Sequence, residues 1–411
     1  MKLKFANYKY HGRNINNLGD HAQILTIDYL YQQIGIPKED IIYIDINNLG
    51  EYDGDAVLLP VSLPLINHTE NGIAGMFSPK IHPVFFGLTT PKTELLKEEV
   101  DYYKKYEPIG CRDEWAYNTM TKYGIKAYLG GCLTVALPKR KHVPEKQKKI
   151  FIVDAPETLK TYIPKEILNK AIWDTHIYYD YIEDPTQRAI EQYQKYQNEA
   201  SLVITGLLHA SIPCLAFGIP VILARDFVSY RFAWVESILK LYTIKEYNNI
   251  DWNPKLKNIE SIKLIVKELF RKRMFGEDAF VEEKILHNFY MDRERAEYCN
   301  DVFLSIKKFI DNTWKDHEKQ YKYAIWGLTQ MADLTINYIK QRYPNAILNH
   351  VYDIKDGLSL DGIKAIHPNN IEKYPDETVF VTTVSAADVA EKFFKSINKS
   401  RDMYKILRII R

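Results

Sequence analysis

The chain predicts an α/β fold made of parallel sheets covered by helices, in two successive lobes followed by a smaller third unit. Three observations carry this. Short apolar runs alternate with helix-period segments over the first 130 or so residues, the same alternation resumes after a basic linker, and a strand, glycine turn and helix begin again at Tyr321. Strands separated by helices rather than by hairpin turns form parallel sheets with helices on their faces, which is a Rossmann-like arrangement.

The elements follow in order. KLKFANYKY opens as a strand, the polar loop Arg13 to Gly19 follows, and Asp20 to Ile34 has helical spacing. IIYIDI, DAVLLPVSL and HPVFFGL are apolar runs bounded by turn residues, as buried strands are. Helical spacing returns at Lys92 to Tyr106 and Glu114 to Tyr123, with Gly124, Gly130 and Gly131 punctuating the next stretch. PKRKHVPEKQKK, Pro138 to Lys149, is basic and proline-flanked, and reads as a solvated linker. KIFIVDAP and IYYDYI then read as strands and Pro185 to Ala200 as a helix. Residues 258–319 are charged, helical in pattern and without strands, after which YKYAIWGLTQMADLTINYIKQRYP, NHVYDI and TVFVTTVS give strand, helix, strand and strand. The predicted units are therefore 1–140, 148–319 and 321–411.

Composition narrows the class. Hydrophobic residues at 46% and charged residues at 26% suit a globular protein with a real core. The 55 basic and 53 acidic residues nearly cancel, so no overall field draws the chain to nucleic acid or anionic lipid, and any anion site must be local. Cys111, Cys132, Cys214 and Cys299 are scattered, without CxxC or Cys/His spacing, so buried free thiols are expected rather than a metal site or disulfides. Ser201 to Ala224 carries no formal charge and is long enough to span a bilayer. Gly206, Pro213, Gly218 and Pro220 break it, so it reads as strand, short helix and strand buried in a parallel sheet. The amino terminus has no apolar h-region of a signal peptide.

Four strand-to-helix junctions are candidate sites, because ligands of open α/β sheets bind beyond the carboxyl ends of strands. In Asn16–His21, free amides at a helix start suit an anion or a sugar hydroxyl, and Asp20 has the chemistry to orient or deprotonate an acceptor. The plain alternative is that Asn17 or Asp20 caps the helix. In Pro108–Glu114, Arg112 offers a planar fork to a carboxylate or phosphate while Asp113 caps the helix and holds the guanidinium. The alternative is a surface pair of Arg112 with Asp113 or Glu114. In Thr205–Ala210, Gly206 lets a ligand approach the backbone, and His209 beside the helix amides forms an anion site or moves a proton, against the alternative of a satisfied core histidine. Trp326–Ala332, with Asp353 ending the next strand, has the layout of a dinucleotide fingerprint in which Thr329 and Ala332 stand where glycines are wanted, so a regulatory or purely architectural Rossmann-like domain is expected over a catalytic NAD site.

Three of these segments resemble the polysaccharide pyruvyl transferase family. NNLGDHAQ is similar to its N-x-G-D signature, EPIGCRDEWAYNTMTKYGIKAYLGGCLTVAL to its GxRD helix, glycine turn and strand, and SLVITGLLHASIPCLAFGIPVI to its T-x-R-L-H-G segment. The resemblance covers roughly residues 1–275 and leaves the last 90 or so outside. It implies two Rossmann-like lobes in a GT-B-like arrangement, with a small Rossmann-like domain appended. It also implies a cytoplasmic transferase, peripheral to the inner face of the membrane at most, without a cofactor or metal.

Its co-substrate would be phosphoenolpyruvate (PEP), whose pyruvyl group moves onto a sugar of a cell-surface polysaccharide, a capsule or exopolysaccharide, or its lipid-linked precursor. Arg112, Asp113, Gly206 and His209 would then bind the donor, Asn17, Gly19 and Asp20 the acceptor, and Asp20 and His209 would be catalytic. Partners would be the anionic donor and the glycan acceptor, with no nucleic acid, no transmembrane segment, and homo-oligomers left open. One departure is plain: Leu207 stands where the family has an arginine, and Arg225 and Arg231 are the nearby cations that could replace it. A GT-B-like glycosyltransferase using a nucleotide sugar, and a non-catalytic binding protein on the same scaffold, are the alternatives.

Overall fold

A computed structural model describes residues 3–10, 16–62, 77–90, 94–141, 148–226, 230–291, 305–354, 357–383 and 386–406. The chain forms two compact units, residues 1–293 and 294–411. The first holds two main sheets and two two-stranded ones. One runs β2–β1–β3–β4, where β1 is Lys4–Lys9, β2 Ile41–Asp45, β3 Val57–Val61 and β4 Ile81–Phe85, all parallel. Leu88, beyond β4, bridges in parallel to Cys111 of β5 (Ile109–Cys111), which pairs with β6 (Ala127–Leu129). Helices α1 (Leu18–Gln33), α2 (Lys97–Lys105) and α3 (Glu114–Lys122) belong to this half.

The second sheet is also wholly parallel. Its five strands are β7 (Lys149–Val153), β8 (Ala171–Asp174), β9 (Ala200–Thr205), β10 (Val221–Arg225) and β11 (Leu241–Thr243), in the order β11–β10–β9–β7–β8. Helices α4 (Pro185–Glu199) and α5 (Leu208–Ala216) flank it, and α6 (Glu260–Met274) and α7 (Phe280–Met291) follow. The charge-free segment thus folds as strand, helix and strand, as expected, with all of α5 buried. Both halves are Rossmann-like α/β lobes. Among the described residues no helix is long and apolar enough to cross a membrane.

The strand expected at IYYDYI is a correction. Only Ile177–Tyr178 is extended, and it pairs antiparallel with Asn16–Asn17 outside the main sheet. Tyr179 and Tyr181, which strand alternation puts on one face, are 74% and 66% exposed, so burial does not favour a sheet there. The edge position is taken by β8, four residues with no clear pattern. Helix α1 begins at Leu18, two residues before the expected start, because the Asn17 side chain accepts from the Gly19 amide and caps it. Cys111, Cys132 and Cys214 are buried free thiols; Cys299 and the linker's residues 142–147 lie outside the described residues.

The second unit is built on β12 (Lys322–Trp326), β13 (Ile347–Tyr352), β14 (Ile363–Ile366), β15 (Thr378–Val381) and β16 (Tyr404–Ile406), parallel in the order β14–β13–β12–β15–β16. A two-residue antiparallel strand, Ser359–Leu360, closes the β14 edge. Helix α8 (Gln330–Arg342) joins β12 to β13, and α9 (Ala387–Ser396) joins β15 to β16. The helix 305–313 leads into Trp314, which stacks on Tyr321 with ring centroids 4.4 Å apart and packs against Tyr323 and Phe380.

Candidate active site

The carboxyl ends of the two main sheets of the first unit converge. From the first lobe come the start of α1, Ser62 after β3, Arg112 after β5 and Cys132 after β6; from the second come His176 after β8, His209 after β9, and Arg225 and Arg231 at and beyond the end of β10. A two-residue ladder, Asn16–Asn17 with Ile177–Tyr178, joins the lobes across this point, and the Leu18 amide donates to the His176 carbonyl at 2.9 Å. Between them lies a cavity of 170 Å³ lined by Asn17, His176, Leu207, His209, Arg225 and Arg231, among others.

Arg112 is 0% exposed. Its Nη2 donates to Gln23 Oε1 at 2.8 Å and to the Ser62 carbonyl, while Nε and Nη1 find no acceptor in the protein. Burial presses its pKa down, Arg231 adds to that, and Cys132, Asp113 and Asp20 oppose it. No carboxylate is bonded to the guanidinium, so the expected surface pair with Asp113 or Glu114 is absent and so is the expected Asp113 grip. Asp113 instead caps α3 through the Ala116 amide at 2.9 Å and accepts from the Thr89 hydroxyl at 2.7 Å. Both its oxygens are engaged, so its geometry gives it the work of shaping the Arg112 turn.

His209 sits in the first turn of α5, and the helix gives it a fixed backbone. Pro213, four residues on, has no amide to reach the His209 carbonyl, which accepts from the Tyr193 hydroxyl at 2.7 Å instead. No side chain caps α5 at Leu207, so its first amides stay open to a ligand. The imidazole Nε2 is 3.6 Å from Cys132 Sγ, which in turn is 4.0 Å from Gln23 Oε1, the partner of Arg112. Burial lowers the His209 pKa well below the usual range, and Arg112, Arg231 and His176 lower it further, so the ring is neutral near pH 7.

Gly19 explains how closely the lobes approach. A Cβ there would lie 2.8 Å from His209 Cβ and 3.0 Å from Asn17 Oδ1. Gly19→Ala is therefore expected to cost about 1–3 kcal/mol by forcing the two helix starts apart, read as a lower urea midpoint with an unchanged slope. Gly206 does different work from that expected. A Cβ on it would meet Asp154 O at 3.0 Å, Ala224 O at 3.3 Å and Pro156 Cδ at 3.3 Å, and it is not part of the cavity wall. Its role is tight strand packing, and its carbonyl accepts from Arg225 Nη1 at 2.6 Å.

Sequence reasoning missed Gln23, Ser62, Cys132 and His176 in this arrangement. His176 is the clearest case, a lone histidine in a loop with no motif around it. It is buried, its Nε2 is 3.1 Å from the Tyr196 hydroxyl, and its Nδ1 has no partner in the protein. Burial pushes its pKa down to about 4 from 6.5, with Asp174 opposing. The unfolded chain takes up this proton below 6.5 and the folded chain does not, so stability is present at neutral pH and lost on acidification. His176 alone is expected to account for a loss of about 2 kcal/mol between pH 7 and pH 5, which His176→Asn should remove from urea titrations run at the two pH values.

Arg231 rides on the 3₁₀ helix Tyr230–Ser237, anchored by buried Trp234, whose indole donates to the Arg231 carbonyl at 3.1 Å. Its Nε is buried without an acceptor in the protein. Arg225 is held more firmly, its guanidinium 4.3 Å from the Phe232 ring centroid. Buried polar groups are nearly always bonded. Yet of the eight buried side-chain nitrogen and oxygen atoms without a partner among the described residues, six belong to Arg112, Gln23, Ser62, His176 and Arg231. No group of His, Cys, Asp and Glu among the described residues could hold a metal ion.

Two parallel α/β lobes that meet at their strand ends around a cavity with arginines in its wall define a two-lobed α/β class whose ligand site lies beyond the carboxyl ends of the strands. The sequence pattern of the polysaccharide pyruvyl transferase family matches residues 17–224, just over half of the chain and nearly the whole of this site, and the chain belongs to that family. Family membership indicates a transferase of polysaccharide pyruvylation. No curated protein matches the chain. Arg225 and Arg231 lie just beyond the matched residues.

Proposed function

We propose that the protein transfers the pyruvyl group of PEP to a pair of hydroxyls on a sugar of a surface polysaccharide or its precursor. The observation that carries this reading is the set of unpartnered buried donors on Arg112 and Arg231 around neutral His209 and the open start of α5. PEP carries a phosphate and a carboxylate, so it needs cations and amides converging from more than one side. The phosphate seats on the α5 amides and His209, and the carboxylate on Arg112. Arg231 and Arg225 supply the charge that Leu207 withholds.

His209 is neutral in the empty protein, and a bound trianion raises its pKa, so it takes up a proton as PEP arrives. It gives that proton to the methylene carbon, leaving an oxocarbenium-like centre at C2. Asp20, close enough to stabilise the charge of Arg112, accepts a proton from the attacking sugar hydroxyl. The second hydroxyl then displaces phosphate at the same carbon. Two C–O bonds form and the C–O bond to phosphate breaks. The new methyl proton is the one His209 took up on binding; of the two hydroxyl protons one leaves on phosphate, and the other is released from Asp20 to solvent, replacing the proton taken up.

The test is binding. PEP at about 100 times its dissociation constant is expected to add about 2.7 kcal/mol to the stability of the folded protein. Calorimetry in buffers of different ionisation enthalpy should show net proton uptake on binding. A folded protein indifferent to millimolar PEP would overturn the proposal. Stabilisation by a nucleotide sugar that is lost on replacing His209 would favour the glycosyltransferase alternative.

A further inference from the structure

We infer that the second unit carries a ribonucleoside site, independent of the PEP cleft, at the carboxyl ends of β12, β13 and β15. The strand order places β12 at the centre. The chain leaves it through α8 toward β13 on one side and later returns to β15 on the other. That reversal opens a crevice beyond the strand ends, where open α/β sheets bind ligands. A cavity of 400 Å³ lies there, lined by Gly327 and Thr329 after β12, Asp353 and Ile354 after β13, Thr383 after β15, and Val389 on α9.

Three features of its wall select the ligand. Ile354 and Val389 are 73% and 62% exposed, an unusual placement for branched apolar residues, and both face this cavity, giving a planar apolar body two greasy surfaces. Asp353 directly follows the second strand, where a carboxylate meets the paired hydroxyls of a ribose. Thr329, a good helix cap by type, gives its hydroxyl to the Thr382 carbonyl at 2.6 Å, so the start of α8 has no side-chain cap.

Gly327 makes this turn with φ +97°, and a Cβ there would fall 2.5 Å from Thr383 Cγ2. The described lining holds one carboxylate, that of Asp353.

Titrating the full chain with AMP and with UMP, in the absence of PEP, tests this. At least one should bind, and its 2′,3′-dideoxy form should bind at least tenfold more weakly. Asp353→Asn should cause a similar loss. Val389→Asp, a change at an exposed position that leaves folding intact, should also weaken binding tenfold or more, with PEP stabilisation unchanged in both variants. The inference fails if neither nucleotide binds at 10 mM, if Val389→Asp and Asp353→Asn bind as the parent does, or if inorganic phosphate binds as tightly as the nucleotides. Loss of PEP binding alone would bear only on the cleft of the first unit.

Discussion

Arg112→Met is expected to weaken PEP binding at least a hundredfold while the protein stays folded. The guanidinium has two nitrogens without an acceptor in the protein and is buried behind the wall of the 170 Å³ cavity rather than in it, so a carboxylate that reaches it on binding meets it in a low-dielectric setting where a charge pair is strong. A hundredfold corresponds to about 3 kcal/mol, within the range for removing one partner of a buried, hydrogen-bonded charge pair. Stability without ligand should move much less, by about 2 kcal/mol or under. Relief of an isolated buried charge offsets the two bonds lost at Gln23 and Ser62. Arg112→Lys should recover little, because a single ammonium cannot hold Gln23 and Ser62 and still present a fork to the ligand. Urea unfolding with and without PEP separates the two effects.

The second large effect concerns the family arginine that this chain lacks. Arg231→Ala is expected to weaken PEP binding by tenfold to a hundredfold, about 1.4–2.8 kcal/mol. Leu207→Arg in that background should restore most of the loss, since Leu207 and Arg231 line the same cavity. A substitution that creates a buried arginine rarely helps a protein, so rescue would be a specific result. Arg225→Ala should cost less, because that guanidinium is already held by the Gly206 carbonyl and the Phe232 ring. If Arg231→Ala leaves affinity unchanged, the charge missing at position 207 is not replaced from the end of β10.

Much of this was legible in the sequence, and what was not has physical reasons. The long strands and helices could be read because each buries a continuous apolar face, as β9 and α5 do. Edge strands such as β8 and β11 were not, because three or four residues leave too little pattern to distinguish from loop. Arg112, His209 and the start of α1 stood out because each occupies a strand-to-helix junction. Asp113 and Gly206 shared those junctions but serve local geometry, one capping α3 and the other packed under Asp154 and Pro156. Gln23 and His176 could not be found from local pattern, since each gains its meaning from a partner 89 and 20 residues away, Arg112 and Tyr196. Arg231 was visible only as a nearby cation, and the burial of its Nε depends on how Trp234 seats its turn.

The most direct test is a crystal structure of the full chain with PEP. A single molecule is expected between the lobes, its phosphate against the first amides of α5 and His209, and its carboxylate within hydrogen-bond reach of Arg112. Density for PEP away from both Arg112 and His209, with the cavity between the lobes unchanged, would contradict this reading.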